Sequence, residues 1–217
     1  MPVRKVSNRG GSVIGRFPSI KMGRMIAFES LLERDFIYLL DYEADVEQFE
    51  EQPLTIEYLH DDQTLHYTPD FQVVEAGNPV LIECKPTRFI DTADNQQKFA
   101  VARDWCAARG WEFRVVTDQQ IRAGYRLSNV KRLTQYARQP LDPILREQIT
   151  RVVYESSAAL TLQEIVQAIG RDDPNSIITG LLHLAFQHQL ELPLDREPLS
   201  NQTLVTRRTQ AGRVVSR

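Results

Sequence analysis

Two short apolar segments joined by one helical segment constrain the fold of this chain more than any other feature. The segments PVLIECK (79–85) and WEFRVVT (111–117) are typical of strands, because both are short and rich in β-branched and aromatic residues. Between them, residues 91–109 have helical spacing, and Gly110 follows as a C-cap. A helical crossover usually joins parallel neighbours in one sheet. The pattern therefore predicts an α/β fold in which these two strands are parallel.

Three further β-like segments precede this unit and make the predicted sheet mixed. They cover residues 44–50, 54–60 and 64–75. Turn residues at 61–63 and 76–78 separate consecutive segments, which favours antiparallel pairing. Helical spacing before and after the strands predicts flanking helices at 25–41 and 127–138.

The C-terminal third has a different pattern, beginning near Pro140 and Pro143. Three helical segments are predicted, the second opening with the capping-box sequence Thr161 to Glu164. The segments LELPL and TLVT can then pair as a hairpin, which is the element order of a winged helix. The predicted organisation is a flexible basic arm (1–24), a mixed α/β domain (25–139), a small winged-helix-like domain (140–206) and a basic tail (207–217).

Composition excludes several classes of protein. Hydrophobic residues make up 42% and charged residues 25% of the 217, which is too apolar for a wholly disordered chain. No apolar run is long enough to span a membrane, and no apolar stretch follows the basic N-terminus as it would in a secretory signal. The two cysteines and four histidines have no metal-ligand or disulfide spacing. A cytosolic protein is expected.

Charge is distributed unevenly along the chain. The first 24 residues carry six basic side chains and no acidic one, and residues 205–217 carry four more, again without an acid. The rest holds the other 16 basic residues and all 29 acidic ones, a balance of −13. Basic ends on an acidic body suggest contact with phosphate, although solvated tails without function would look the same. The candidate DNA-binding residues are Arg4, Lys5, Arg9, Arg16, Lys21, Arg24 and, at the start of the helix after the 79–85 strand, Lys98.

A group of acidic residues and one lysine carries the predicted chemistry. Side chains alternate along a strand, so Glu83 and Lys85 share one face while Ile82 and Cys84 point to the core. Asp70 belongs to the preceding β segment, and helix 25–41 can add a third carboxylate. Carboxylate oxygens are preferred ligands of Mg²⁺, which activates water and neutralises phosphate charge. A neighbouring lysine can orient that water.

Two alternatives remain open from the residues alone. A turn aspartate followed by an exposed Glu/Lys pair on an edge strand would have the same short spacing. The helix carboxylate can be Glu29 or Glu33, which lie one turn apart.

Several segments resemble the TnsA family, the endonuclease subunits of heteromeric transposases within the PD-(D/E)xK nuclease superfamily. The similar segments are FESLLERDFIYLLDYEADVEQFEEQPL, then TPDF at 68–71, IECKP at 82–86 and VVTDQQI at 115–121. The resemblance implies a restriction-endonuclease-like mixed sheet, with catalytic positions at Glu33, Asp70, Glu83 and Lys85. The third-acid position can hold Gln in that family, so Glu83 is closer to the general superfamily pattern.

The resemblance also implies an activity and partners. Glu33, Asp70 and Glu83 would bind one or two Mg²⁺ ions, for which Mn²⁺ can substitute, and Lys85 would position the water. The chain would cut the non-transferred strand, freeing the 5′ ends of a transposon, beside a TnsB-like DDE transposase and a TnsC-like AAA+ regulator. The alternatives are a restriction- or repair-type nuclease of the same superfamily, or a catalytically inactive nuclease-fold adaptor that binds DNA. Since no Lys or Arg lies between Asp172 and Asp195, the winged-helix-like domain is expected to bind protein more than DNA.

Overall fold

A computed structural model of the chain describes residues 13–208, which form two compact units divided between Ala123 and Gly124. Within the described residues, no helix is long and apolar enough to cross a membrane.

The first unit is a mixed α/β structure. Its strands are β1 (Gly15–Pro18), β2 (Met25–Phe28), β3 (Val46–Glu51), β4 (Ile56–His60), β5 (Gln63–Tyr67), β6 (Phe71–Glu75), β7 (Asn78–Lys85) and β8 (Glu112–Thr117). Its helices are α1 (Leu31–Tyr42), α2 (Ala93–Ala107) and the single turn α3 (Asp118–Ile121), with a 3-10 turn at Thr87–Phe89.

A four-stranded mixed sheet in the order β3-β6-β7-β8 forms the centre of this unit. Strand β6 is antiparallel to both β3 and β7, whereas β7 and β8 run parallel, with Lys85 opposite Thr117. Helix α2 makes the crossover between the two parallel strands. The parallel pairing and the mixed sheet predicted from the sequence are therefore confirmed.

Helices cover the two faces of the sheet. On one face, Phe36 of α1 packs against Phe71 with the ring centroids 5.8 Å apart. On the other, Leu81 packs with Ala102 and Cys106 of α2 and with Tyr67 of the β4–β5 hairpin, and all four are buried. Because neighbours on β7 point to opposite faces, Ile82 and Leu81 are both buried although they face different layers.

The predicted strand 64–75 is two strands in the structure. Strand β5 ends at Tyr67, and β6 begins at Phe71, after the segment Thr68-Pro69-Asp70. Pro69 has no amide to donate to a ladder, which favours a break there. Strand β5 pairs with β4 in a separate two-stranded sheet, and Asp61 and Asp62 make the turn with left-handed φ values.

The structure corrects the predictions for residues 13–30. Helix α1 begins at Leu31 rather than Met25, because Met25–Phe28 pairs as a strand with Gly15–Pro18 and Ser30 caps the helix. The predicted flexible arm is therefore a strand at 15–18. A Cβ at Gly15 would lie 2.4 Å from the Phe28 ring, so a larger residue there would require the ring to move. Residues 1–12 lie outside the described part of the chain.

Buried polar contacts attach this N-terminal segment to the unit. The carboxylate of Asp41, on α1, accepts hydrogen bonds from the Ser19 hydroxyl and from the amides of Ile20 and Lys21. The Lys21 ammonium donates to the carbonyls of Leu40 and Glu43 near the end of α1. Burial lowers the pKa of Lys21 to about 8.

Arg24 and Glu51 form a second attachment. The Arg24 guanidinium donates to both oxygens of Glu51, at 2.8 and 2.6 Å, and the Ala27 amide donates to one of them. Glu51 is only 4% exposed. Burial opposes its ionisation, but the hydrogen bonds from Arg24 and from main-chain amides, together with the Arg24 charge, outweigh burial and keep the pKa of Glu51 below its usual value.

Replacing Glu51 by Gln is therefore expected to lower the free energy of unfolding at pH 7 by about 2 kcal/mol, the usual size of a hydrogen bond to a charged group. A carboxyl whose pKa is depressed on folding stabilises above its unfolded-state pKa, near 4.5, and loses that effect as pH falls through the folded value. Urea unfolding from pH 7 to pH 3 should show the difference between wild type and Glu51→Gln shrinking below about pH 4.5. A difference independent of pH would contradict this account.

The second unit contains helices and a small sheet. Its elements are α4 (Arg126–Tyr136), α5 (Pro143–Glu155), β9 (Leu160–Thr161), α6 (Leu162–Ile169), α7 (Pro174–Phe186), β10 (Leu190–Glu191) and β11 (Leu204–Arg207). The three strands pair antiparallel in the order β10-β11-β9. The predicted capping box at Thr161 and Glu164 and the pairing of LELPL with TLVT are confirmed.

Helix α4 belongs to the second compact unit. It packs against α7, and Asn129 of α4 hydrogen-bonds the carbonyls of Leu194 and Glu197 and the amide of Leu199. The expected domain boundary between 139 and 140 therefore lies inside this unit, after the helix that packs on α7.

Candidate active site

The candidate site lies at one edge of the four-stranded sheet, the edge formed by the ends of β3 and β7 and the start of β6. Strand β7 ends with Glu83, Cys84 and Lys85, and Asp70 directly precedes β6. Because β6 and β7 are paired with Phe71 opposite Ile82, the residues just beyond that pair come together at this edge. The spacing between Asp70 and Glu83 in the sequence is thus the length of one hairpin.

Asp70 is bound to the main chain of β7. One oxygen of its carboxylate accepts a hydrogen bond from the Cys84 amide at 2.8 Å. Burial, together with the nearby charges of Glu83 and Glu33, raises the pKa of Asp70 well above its usual value. The carboxylate is therefore held where its negative charge is poorly compensated.

Glu83 is more buried than the sequence predicts. The predicted polar face of β7 is covered, and Glu83 is 5% exposed. The Tyr67 hydroxyl donates to one of its oxygens at 2.8 Å, and the Lys85 ammonium lies 2.6 Å from the other. Tyr67 was not predicted as a site residue; its place next to Thr68-Pro69-Asp70 is the only signal for it in the sequence.

Lys85 and Tyr67 both remain protonated in this arrangement. Burial opposes the charge on Lys85, but Glu83, with Asp70 and Glu33, outweighs burial and raises the pKa of Lys85. Burial and the charge of Glu83 raise the pKa of the Tyr67 phenol. Lys85 therefore acts as a cation and hydrogen-bond donor and is a poor general base at neutral pH.

Glu33 joins the group from the first turn of α1. Its carboxylate accepts from the Glu29 amide and the Ser30 hydroxyl, both at 2.7 Å, while its amide donates to the Ser30 hydroxyl. Burial raises the pKa of Glu33 against these hydrogen bonds, and the charges of Glu29 and Glu83 raise it further. One oxygen of Glu29 is buried without a hydrogen-bond partner. Both helix acids thus remain candidates.

The carboxylate oxygens of this group fit a hard divalent cation. The pKa values of Asp70 and Glu33 are raised by burial and by neighbouring negative charge, and a bound cation would offset that repulsion. As they stand, most of these oxygens are occupied by internal donors. Among residues 13–208, no group of three or more His, Cys, Asp or Glu side chains is arranged to hold a metal ion. The arrangement therefore brings the candidate ligands near one another without forming a coordination site.

A further contact secures the loop after Lys85. The Asp118 carboxylate, directly after β8, accepts from both the amide and the hydroxyl of Thr87 at 2.7 Å. The hydrogen bonds from Thr87 lower the pKa of Asp118. The segment VVTDQQI contained this residue, but nothing in the sequence indicated that it contacts Thr87.

The predicted DNA-binding residues have different environments. Lys21 and Arg24 are engaged by carbonyls of α1 and by Glu51, as described above, so neither is a free phosphate contact. Arg16 is exposed on β1, and Lys98 is half-buried on α2. Arg4, Lys5 and Arg9 lie outside the described residues.

Residues 43–118 match the family model described as "TnsA-like endonuclease N terminal". This segment runs from the end of α1 through β8, so it contains Asp70, Glu83 and Lys85 but not Glu33. No curated protein matches the chain. The match confirms the resemblance noted from the sequence for this segment.

Proposed function

We propose that the chain is a Mg²⁺-dependent DNA endonuclease of transposition, because residues 43–118 match the model of the TnsA-like endonuclease family. The observation that carries the proposal is the meeting of Asp70, Glu83, Lys85 and Glu33 at one sheet edge, close enough for each charge to shift the pKa of another. The match to the family model indicates the class of reaction, and the cluster of four side chains supplies groups suited to that reaction. The reaction is hydrolysis of a phosphodiester bond.

Glu33, Asp70 and Glu83 would hold the divalent cation, with Glu29 as the alternative helix ligand. When bound, the cation would supply positive charge against the phosphate oxygens and lower the pKa of a water molecule. The side chains contribute position: the Cys84 amide fixes Asp70, and the Tyr67 hydroxyl fixes Glu83. Both oxygens of Glu83 are already contacted, one by the Tyr67 hydroxyl and the other by the Lys85 ammonium at 2.6 Å, so a bound cation would share one of them.

Lys85 would orient the attacking water and counter the negative charge that develops on phosphorus oxygens in the transition state. Its side chain is 24% exposed, so the ammonium can reach a bound phosphate while its stem stays packed. Its raised pKa keeps it charged throughout, which suits this role.

The C-terminal unit is proposed to be winged-helix-like and to bind a protein partner. Helix α7, in the place of a recognition helix, has no Lys or Arg, and most of its second half is buried. A helix of this kind has little to offer phosphate in a DNA groove. The partners proposed are a TnsB-like DDE transposase and a TnsC-like AAA+ regulator, with Arg207 and Arg208 beginning the basic tail. Exposed Arg16 and half-buried Lys98 remain candidate DNA contacts.

Strand-specific cutting tests the proposed function. The purified chain is incubated with Mg²⁺ and a duplex carrying a transposon end, each strand labelled, with and without a TnsB-like DDE transposase. We expect cutting of the non-transferred strand that needs both the transposase and the metal. Efficient cutting of arbitrary duplex by the chain alone would instead indicate a restriction- or repair-type nuclease. DNA binding without cutting under any of these conditions would indicate an inactive adaptor.

A further inference from the structure

Gln52 has a strained backbone conformation. Its φ is +45°, in the left-handed region that residues with a Cβ rarely adopt. The other non-glycine residues described with positive φ also lie between elements: Asp61 and Asp62 between β4 and β5, Ala76 between β6 and β7, and His188 after α7. Gln52 directly follows β3 and precedes Pro53, at the edge of the sheet that carries the candidate site.

Gln52 is held beside Asp70 by the main chain. Its amide donates to the Asp70 carbonyl at 2.8 Å, and the residue before it, Glu51, is opposite Phe71 in the sheet. Glu51 itself is fixed by Arg24. The strained conformation is therefore imposed by rigid neighbours on both strands, and strain of this kind is concentrated at functional sites.

The side-chain oxygen of Gln52 is buried and has no hydrogen-bond partner. Buried amide oxygens are almost always paired, so an unpaired one calls for an explanation. The donors described at this site contact other groups: the Cys84 amide contacts Asp70, and the Tyr67 hydroxyl and the Lys85 ammonium contact Glu83. The unpaired oxygen of Glu29, next to Glu33, is a second acceptor in the same situation.

We propose that Gln52 is a neutral oxygen ligand of the divalent cation bound at this site. An oxygen without a donor is satisfied by a cation, and Gln carbonyls are ordinary ligands of hard cations. A neutral ligand adds coordination without adding to the repulsion among Glu33, Asp70 and Glu83. This inference rests on the proposed function, because it concerns the same cation.

Calorimetric titration of Mn²⁺ into the full-length chain, paired with thermal unfolding of the metal-free protein, tests this role. Gln52→Leu removes the oxygen and is expected to weaken Mn²⁺ binding about tenfold, while raising the metal-free melting temperature because an unpaired polar group is lost. Gln52→Glu keeps an oxygen and adds a charge. It should bind Mn²⁺ more tightly than wild type and melt at a lower temperature without metal. Gln48→Leu, at an exposed position on β3, is the matched control and should change neither quantity.

These opposite changes distinguish a ligand from a structural residue. Wild-type Mn²⁺ affinity in Gln52→Leu would overturn the inference while leaving the proposed function intact, provided that Asp70→Asn abolishes binding. Absence of binding by folded wild-type protein would overturn both. If Gln52→Leu does not fold, Gln52→Glu decides: tighter Mn²⁺ binding than wild type supports the role, and unchanged or lost binding overturns it.

Discussion

Replacing Asp70 by Asn is expected to abolish DNA cleavage and to make the metal-free protein more stable. The loss of a carboxylate ligand should reduce the cleavage rate by at least about 1,000-fold. The Asn side chain keeps an oxygen that can accept from the Cys84 amide, so the local hydrogen bond survives. Removing a charge that is poorly compensated in the folded protein should raise the free energy of unfolding at pH 7, because the pKa of Asp70 is raised on folding.

The pH dependence identifies the cause of that stabilisation. The pKa of Asp70 is raised on folding, so the folded protein binds the proton more tightly than the unfolded chain, whose pKa is near 3.8. Wild-type stability should therefore fall as pH rises from about 3.8 through the folded pKa, and the advantage of Asp70→Asn should grow over the same range. Urea unfolding at pH 3 to 8 measures the free energy of unfolding of wild type and of Asp70→Asn, with the exposed substitution Asp62→Asn as the control. A variant less stable than wild type at pH 7 would contradict the argument.

Replacing Lys85 by Met is expected to cost both activity and stability. Cleavage should fall about 100- to 1,000-fold, the usual cost of removing one group that stabilises transition-state charge. Unlike Asp70→Asn, this change leaves the 5%-exposed Glu83 without its cation. Removing one partner of such a buried pair typically costs about 3 kcal/mol, and the 24% exposure of Lys85 places the expected loss nearer 2 kcal/mol.

Two companion variants separate these effects. Lys85→Arg keeps the positive charge and should retain most of the stability, yet cleave poorly, because a planar guanidinium does not replace a compact ammonium. The double variant Lys85→Met/Glu83→Gln should recover stability relative to Lys85→Met, since the uncompensated charge is gone, while remaining inactive. Urea unfolding and single-turnover cleavage measure the two effects. Full cleavage by Lys85→Met would refute the assigned role.

Much of the first unit follows from local patterns in the sequence. The strand at 79–85, the helix after it and the strand at 111–117 are each short, periodic and bounded by turn or cap residues, and their parallel pairing follows from the crossover. The capping box at Thr161 is equally local: the hydroxyl and the carboxylate of Glu164 satisfy the helix start within one turn. Features of this kind need no knowledge of the tertiary structure.

The N-terminal hairpin shows where local patterns fail. Residues 25–41 have continuous helical spacing, yet Met25–Phe28 forms a strand because Gly15–Pro18 pairs with it. That pairing is secured by contacts distant in sequence, such as Arg24 with Glu51 and Lys21 with the end of α1. Basic residues that suggested an arm for phosphate are, in these two cases, structural.

The site itself was partly predictable. Alternation along a strand placed Glu83 and Lys85 on one face, and the resemblance to a nuclease family selected Asp70 and Glu33. Neither could show that Tyr67 covers Glu83, that Asp118 holds Thr87, or that Gln52 is strained, because these depend on side chains meeting from separate strands. Burial of Glu83 was also missed, since the hairpin of β4 and β5 lies over what looked like an open face.

The hairpin of β6 and β7 has a consequence for how the site assembles as the chain folds. Asp70, Glu83 and Lys85 all lie within it or directly beside it, so a short loop closed at Ala76 and Gly77 brings them together at small entropic cost. Glu33 lies much earlier in the sequence, and it reaches these residues only when α1 packs against the sheet. Among these four residues, the contacts between positions distant in sequence are therefore those that Glu33 makes. Changes in chain length between α1 and β6 act on the position of Glu33 and leave the other three residues in register.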